Sequence, residues 1–208
     1  MIECIIFDID GTLIDTEYVV KKSLQRILQE EGIREYSWNE MDFILGVPGK
    51  NSLKRMGIKN ITEVNERWNR YMIEFKDKVS VYEGIESVLQ ELKKRNIITG
   101  LVTSKTYTEF HDDFEPFGLT HYFDYRVCAN DTARHKPFPD PLLKFLEISG
   151  ANANQTIYIG DTIYDQQAAT AAGIPFGLAL WGTKTPDLSC KIRLEKPSDI
   201  LKGCLDLI

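Results

Sequence analysis

Cysteine is scarce in this chain and arranged for nothing in particular. Cys4, Cys128, Cys190 and Cys204 are its four cysteines; none forms a Cys-x-x-Cys pair, and no nearby histidine completes a zinc set. They read as reduced thiols, mostly core filler. Long apolar runs are missing as well. The longest are strand-sized, far below the ~20 residues that span a bilayer, and the N-terminus lacks a basic region followed by a long apolar segment. The expectation is a cytoplasmic protein with no membrane partner. Positive charge is in deficit: 25 basic residues stand against 31 acidic ones, for a net charge of −6. No stretch collects enough Lys and Arg to track a phosphate backbone, which argues against nucleic acid as a partner. Internal repeats and low-complexity segments are also absent. What is present is 208 residues of 43% hydrophobic content, enough to bury a substantial core as one domain with an insertion or as two small domains.

The most informative segment is Ile5-Ile6-Phe7-Asp8-Ile9-Asp10-Gly11-Thr12-Leu13-Ile14-Asp15-Thr16. Side chains two apart in an extended chain project to the same side, so Asp8 and Asp10 leave a strand end together. Two anions so close repel, and a divalent cation or a raised pKa is the usual remedy, both being marks of active sites. The plainer alternative is a strand entering an Asp-Gly turn with solvated acids.

Short apolar runs of the same kind recur at Ile97 to Thr103, Tyr125 to Cys128, Thr156 to Gly160 and Pro175 to Leu180. Between them Ile85 to Arg95, Tyr107 to Phe117, Pro141 to Ser149 and Tyr164 to Ala172 carry apolar residues at helical spacing. Alternating strands and helices predict an α/β fold, a Rossmann-like parallel sheet flanked by helices. From about Glu17 to Ser80 no strand-like run appears, which predicts an inserted all-helical cap. Its first helix, Glu17 to Glu31, places Val20, Leu24, Ile27 and Leu28 on one face and ends at Gly32. Its last, Glu63 to Lys78, carries Trp68, Tyr71, Met72 and Phe75, a stripe read as the insertion's own core. The expected division is a core of residues 1–15 and 80–208 and a cap of residues 16–79, joined by two connections that could hinge. The segment Lys184 to Leu194 reads as irregular, and Trp181 as an aromatic packed in a loop.

Three further features fall at predicted strand ends, where open parallel sheets hold ligands. Thr103 and Ser104 bring two hydroxyls suited to an oxyanion, or else an N-cap. Lys136 stands in the run His135-Lys136-Pro137-Phe138-Pro139-Asp140-Pro141, whose prolines fix the backbone near a helix start; in isolation it would be a solvated lysine. Asp161 ends the strand Tyr158-Ile159-Gly160, and Asp165 follows one helical turn later; either could simply cap that helix.

In their order and spacing, Asp8-Ile9-Asp10-Gly11-Thr12, Thr103, Lys136 and Gly160-Asp161 with Asp165 resemble the four motifs of the haloacid dehalogenase-like (HAD) hydrolase superfamily, and they span nearly the whole chain. The insertion after the first motif resembles the small helical cap of its phosphoglycolate phosphatase and beta-phosphoglucomutase branch. The resemblance implies that Asp8 attacks phosphorus to give an aspartyl-phosphate and that Mg²⁺ offsets the repulsion between carboxylate and phosphate. The metal set it implies is Asp8, the Asp10 backbone carbonyl and Asp161, with Asp165 orienting Lys136 or a water on the metal. Asp10 would serve as acid and then base. Thr103, with backbone amides near Ile9 and Asp10, would hold phosphoryl oxygens, and Lys136 would add fixed positive charge.

Within the family, the acid at Asp10 favours phosphate chemistry over dehalogenation, because halide leaves without a proton. A mutase is disfavoured: the mutases resembling this chain carry a histidine on the first cap helix where Val20 stands, and an arginine in the cap loop where Gly49 stands. That loop, Gly46 to Ser52, resembles a specificity loop, in which Lys50 or Asn51 touches substrate, or is a plain helix–helix turn. Ser104 is a further candidate for substrate contact. The expected function is Mg²⁺-dependent hydrolysis of a small phosphorylated metabolite, phosphoglycolate phosphatase-like. Inorganic pyrophosphatase and beta-phosphoglucomutase-like mutase are the alternatives, with 2-haloacid dehalogenase and a catalytically silent binding module behind them. Oligomeric state is not legible in the sequence.

Overall fold

The computed structural model describes residues 2–204. Its framework is a six-stranded sheet in which every neighbouring pair runs parallel. In chain order the sheet strands are β1 (Cys4–Phe7), β4 (Ile98–Val102), β5 (Tyr125–Val127), β6 (Thr156–Gly160), β7 (Phe176–Ala179) and β8 (Ile192–Leu194); in space they lie β5-β4-β1-β6-β7-β8. The short strands β2 (Ile14–Asp15) and β3 (Ser80–Val81) form a separate antiparallel pair. Because β1 is flanked on one side by β4 and on the other by β6, the winding reverses there. The crevice beyond its C-terminal end is where such sheets accept ligands.

The alternation of β1 divides the core. Ile5 and Phe7 join one apolar cluster, with Val88, Leu89 and Leu92 of α4 (Ile85–Lys94) and Phe110 of α5 (Tyr107–Asp113). Cys4 and Ile6 join the other, with Leu142 and Phe145 of α6 (Asp140–Ser149) and Ala168 and Ala169 of α7 (Ile163–Ala172). Both faces are thus covered, which is why the strands read as continuous apolar runs rather than alternating ones. Gly100 in β4 lets the Phe145 ring lie directly on the strand, in space that any Cβ would occupy.

Between β2 and β3 the chain is helical: α1 (Glu17–Glu30), a 3₁₀ turn at Asn39–Ile44, α2 (Gly49–Arg55) and α3 (Ile61–Glu74). These surround their own cluster, including Leu24, Ile27, Met41, Leu53, Val64 and Trp68. Trp68 donates its indole N–H to Ser23 Oγ at 2.9 Å, so the ring is buried with its polar atom satisfied. The two connections to the sheet lie side by side, Ile14 opposite Val81 and Asp15 opposite Ser80.

Several expected elements change in extent. The stretch 107–117 divides, because α5 stops at Asp113 and Pro116 sits in a separate 3₁₀ turn at Glu115–Phe117. The stretch 63–78 likewise divides into α3 and a short turn at Lys76–Lys78. The reading of 184–194 as irregular is corrected at its end: β8 pairs with β7, Gly177 opposite Ile192 and Ala179 opposite Leu194. A three-residue Ile-Arg-Leu run is too short to declare a period, and only the sheet edge beside it makes it a strand. A short helix, α8 (Asp199–Gly203), follows it.

Candidate active site

The loop after β1 is shaped by Gly11, whose φ of 79° lies in the left-handed region. A Cβ there would also overlap the carboxylate of Asp161, so glycine is needed for conformation and for space alike. Asp8 is fixed at the strand end by its N–H, which donates to Ile159 O at 2.9 Å. Asp161 follows β6 and is held on the same loop, with Thr12 Oγ1 donating to its Oδ1 at 3.1 Å.

Lys136 reaches this point from the loop before α6. Its Nζ lies 2.8 Å from Asp8 Oδ1 and 2.7 Å from Asp165 Oδ1, and donates to the Tyr158 hydroxyl at 3.0 Å. Asp165 is fully engaged. Its Oδ1 accepts from Lys136 and from the Tyr158 hydroxyl at 2.8 Å, and its Oδ2 from the Thr162 N–H at 3.0 Å and hydroxyl at 2.5 Å. Asp165 therefore does two jobs, closing a capping box with Thr162 at the start of α7 and anchoring the lysine. Asp8 Oδ2, by contrast, is buried with no hydrogen-bond partner.

The electrostatics follow from burial. The Asp8 carboxyl is pushed up to about 7 by burial, opposed by Lys136 and reinforced by Asp165 and Asp10. Burial also lifts Asp161 well above the usual carboxylate range, with Asp165 and Asp8 adding to the effect. Asp165 goes the other way: burial would raise it, but Lys136 and the bonds from Thr162 and Tyr158 hold it down. Burial alone would lower Lys136, and the Asp165 and Asp8 carboxylates outweigh it, so the ammonium stays charged.

One carboxylate oxygen from each of Asp8, Asp161 and Asp165 falls within a sphere of mutual separations below 4.8 Å. Since both Asp165 oxygens are already bonded, Asp8 and Asp161 are the acids with charge to spare. An orphaned buried carboxylate oxygen beside a second under-neutralised carboxylate fits a hard, oxygen-seeking divalent cation.

Asp10 points toward the opposite wall, where its Oδ1 lies 3.2 Å from Lys105 Nζ. Lys105 also meets Asp113 at 3.0 Å, and these two acids outweigh the effect of burial and hold it protonated. Thr103 is buried at the end of β4, its Oγ1 accepting from the Lys105 N–H at 3.2 Å. Ser104 lines the cleft and donates to Gly46 O of the helical insertion at 3.1 Å. Lys50 and Asn51 are exposed on the first turn of α2 and do not line the cleft. Leu45 to Gly49 line it instead.

The cleft is a cavity of about 90 Å³ between sheet and insertion. Asp8, Asp10 and Asp161 form its floor, and Val20, Leu45, Val47, Pro48, Trp68 and Met72 line its apolar part. Trp68 and Met72 thus belong both to the insertion core and to the cleft wall. Sequence reasoning missed Tyr158, which reads as a core strand residue until its hydroxyl is seen to meet Lys136 and Asp165. Lys105 stands next to Thr103 and Ser104 in the same strand-end motif, a signal that could have found it. Glu109, Asp113 and Asn69 carried no local signal. A Cβ at Gly182 would stand 1.7 Å from Gly11 O, so a side chain there would collide with the loop.

A buried acid–lysine cluster at the reversal point of a doubly wound parallel sheet, opening on a covered cleft, is the arrangement of an α/β enzyme's active site. Comparison with known proteins sharpens the class. The haloacid dehalogenase-like hydrolase family matches residues 5–179. A phosphoglycolate phosphatase from Aquifex aeolicus is 31% identical over 206 residues, 95% of this chain and 94% of that protein. A pyrophosphatase PpaX from Halalkalibacterium halodurans is 26% identical over 208 residues, 100% of this chain and 95% of that one. A Lactobacillus plantarum crystal structure, provisionally named a phosphoglycolate phosphatase, superposes with a TM-score of 0.89 at 27% identity, covering 97% of this chain and 99% of that one. The chain belongs to the haloacid dehalogenase-like hydrolase family, and within it is a phosphatase. No helix among the described residues is long and apolar enough to cross a membrane.

Proposed function

We propose that the protein hydrolyses a small phosphate ester through a covalent phosphoryl group on Asp8, with residues 1–15 and 80–208 as the catalytic core and residues 16–79 as a cap over the cleft. The observation that carries this reading is the state of Asp8: one oxygen is held by Lys136, and the other is buried and unpaired. An unpaired carboxylate oxygen on a residue that lines the cleft is open to an electrophile or to a metal ion. Its attack forms an Asp8 O–P bond as the bond from phosphorus to the leaving oxygen breaks. Asp10 gives that oxygen a proton, then takes one from the water whose attack on phosphorus releases phosphate and restores Asp8. Lys136 supplies fixed positive charge beside the transferring group, and Thr103 with Ser104 orients the phosphoryl oxygens. Asp8, Asp161 and the Asp10 backbone carbonyl would hold Mg²⁺, which when bound withdraws charge from the phosphoryl oxygens. The cap keeps bulk water from the intermediate. Four free cysteines without a disulfide suit a cytoplasmic enzyme.

The test is phosphate release from a panel of small phosphomonoesters and pyrophosphate, with Mg²⁺ or chelator, by the wild type and Asp8→Asn. Metal-dependent turnover lost in the variant is expected. Turnover that survives in Asp8→Asn would remove the nucleophile assignment. A second reading, pyrophosphate hydrolysis, is favoured by the name of the Halalkalibacterium relative, and the same panel separates the two.

A further inference from the structure

The charges that line the cleft are lopsided. Asp8, Asp10, Glu109, Asp113 and Asp161 contribute carboxylates, as does Glu17, which Lys21 at 2.6 Å and Lys184 at 2.5 Å already neutralise, while Lys105 contributes the single ammonium among the described lining residues. That ammonium is already committed, lying 3.2 Å from Asp10 and 3.0 Å from Asp113. Lys136 is buried beneath Asp8 and shared with Asp165. The cations of α2, Lys50, Lys54 and Arg55, are exposed and outside the lining. Gly49, which does line it, has no room for a side chain: a Cβ would stand 2.5 Å from Asn65 Oδ1 and 3.3 Å from the Trp68 ring.

A phosphoryl group on the floor is met by Lys136 and by the cation that Asp8 and Asp161 would hold. A second anion on the same substrate would sit away from both, among Glu109, Asp113 and an apolar wall. There it would find repulsion and desolvation with no free cation to offset them. Glu109 is held in place for this role. Asn69 Nδ2 donates to its Oε1 at 3.0 Å from across the cleft, and the Thr106 N–H and hydroxyl hold its Oε2 at 2.8 and 2.9 Å. Its Oε1 remains able to accept from a hydroxyl or amine.

Building on the phosphatase reading above, we infer that the cleft selects phosphate esters whose leaving alcohol carries no second negative charge, with Glu109 as the residue that rejects anionic leaving groups and accepts a hydrogen bond from hydroxylated or amine-bearing ones. Specificity here is chiefly rejection, built from a surplus of carboxylates over cations along the lining. It separates this chain from what its relatives' names describe, since pyrophosphate and phosphoglycolate both carry a second anion.

The matched pair for the test is 2-hydroxyethyl phosphate and phosphoglycolate, which differ by a hydroxymethyl against a carboxylate; pyrophosphate is the third compound, with Mg²⁺ in excess. The wild type should turn over 2-hydroxyethyl phosphate with kcat/KM at least about tenfold above either anionic compound. Glu109→Gln, which keeps the capping box while removing the charge, should narrow that gap severalfold. Binding of the three compounds to Asp8→Asn, measured by calorimetry, should follow the same order without turnover. Equal or better use of phosphoglycolate or pyrophosphate by the wild type overturns the inference and leaves the phosphatase reading standing. Absence of release from every compound sinks the phosphatase reading, and the calorimetric order then decides charge selection by itself: equal or tighter binding of the anionic compounds overturns it. A gap unmoved by Glu109→Gln removes Glu109 from the role.

Discussion

Asp8 and Asp161 are buried carboxylates at one strand-end crevice, with Lys136 as the buried cation beside them and Asp165 competing for it. In the metal-free protein this arrangement costs stability, and the cost depends on pH. Burial pushes the folded Asp8 carboxyl up to about 7, against ~3.9 in the unfolded chain. Between those values the folded state holds a proton that the unfolded state has lost, so stability falls as pH rises through that window, and the full penalty is present above it. Asp8→Asn removes the penalty. In chelator at pH 8 the variant should be more stable than the wild type by about 2–4 kcal/mol, read as a higher thermal midpoint, with the difference shrinking toward pH 4. A variant no more stable than wild type at pH 8 would mean that Asp8 is well neutralised without metal. At this scale the sequence was legible where residue type and strand-end position coincide, as at Asp8 and Asp161; Lys136, expected at a strand end, instead stands in the loop between β5 and α6. The sequence was silent on Tyr158, because nothing in an apolar strand announces that a phenol will meet a lysine from another loop and an aspartate from the next helix.

Elements were legible in proportion to their length. The helix α1 carries four turns of one apolar face, and β6 was bounded at Thr156 and Gly160 as observed. The end of α5 and the existence of β8 were not, because each is decided by a neighbour: Pro116 in the following turn, and β7 beside Ile192–Leu194. Although β8 is short, its Leu194 is fully buried in the cluster that also holds Ala179 and Ile200. Leu194→Ala should therefore cost about 2–4 kcal/mol, measured by urea unfolding. Activity per folded molecule should stay at the wild-type level, since the residue does not line the cleft. A loss below about 0.5 kcal/mol, the range of ordinary surface changes, would show that β8 closes no core.

For the whole molecule, the decisive feature is how insertion and sheet meet. An absence of strand-like runs from Glu17 to Ser80 made a helical layer legible, but which faces would close on each other depends on pairs far apart in sequence. Ser104 donates to Gly46 O at 3.1 Å, Asn69 to Glu109 at 3.0 Å, and Lys184 pairs with Glu17 at 2.5 Å. These links span the two layers around the cleft, so a bulky substrate would have to part them to reach its floor. A phosphoserine on a folded protein brings backbone and neighbouring side chains that would have to displace those links before Asp8 Oδ2 could reach phosphorus. In-line attack tolerates little misplacement, an error of about 1 Å being enough to cost on the order of a hundredfold in rate. Turnover of a folded phosphoprotein should accordingly fall at least about a hundredfold below that of a small uncharged-alcohol phosphate, measured as phosphate release at matched phosphoryl concentration. Comparable rates for the two would mean that the layers part widely in solution, and that the cavity does not limit what the enzyme accepts.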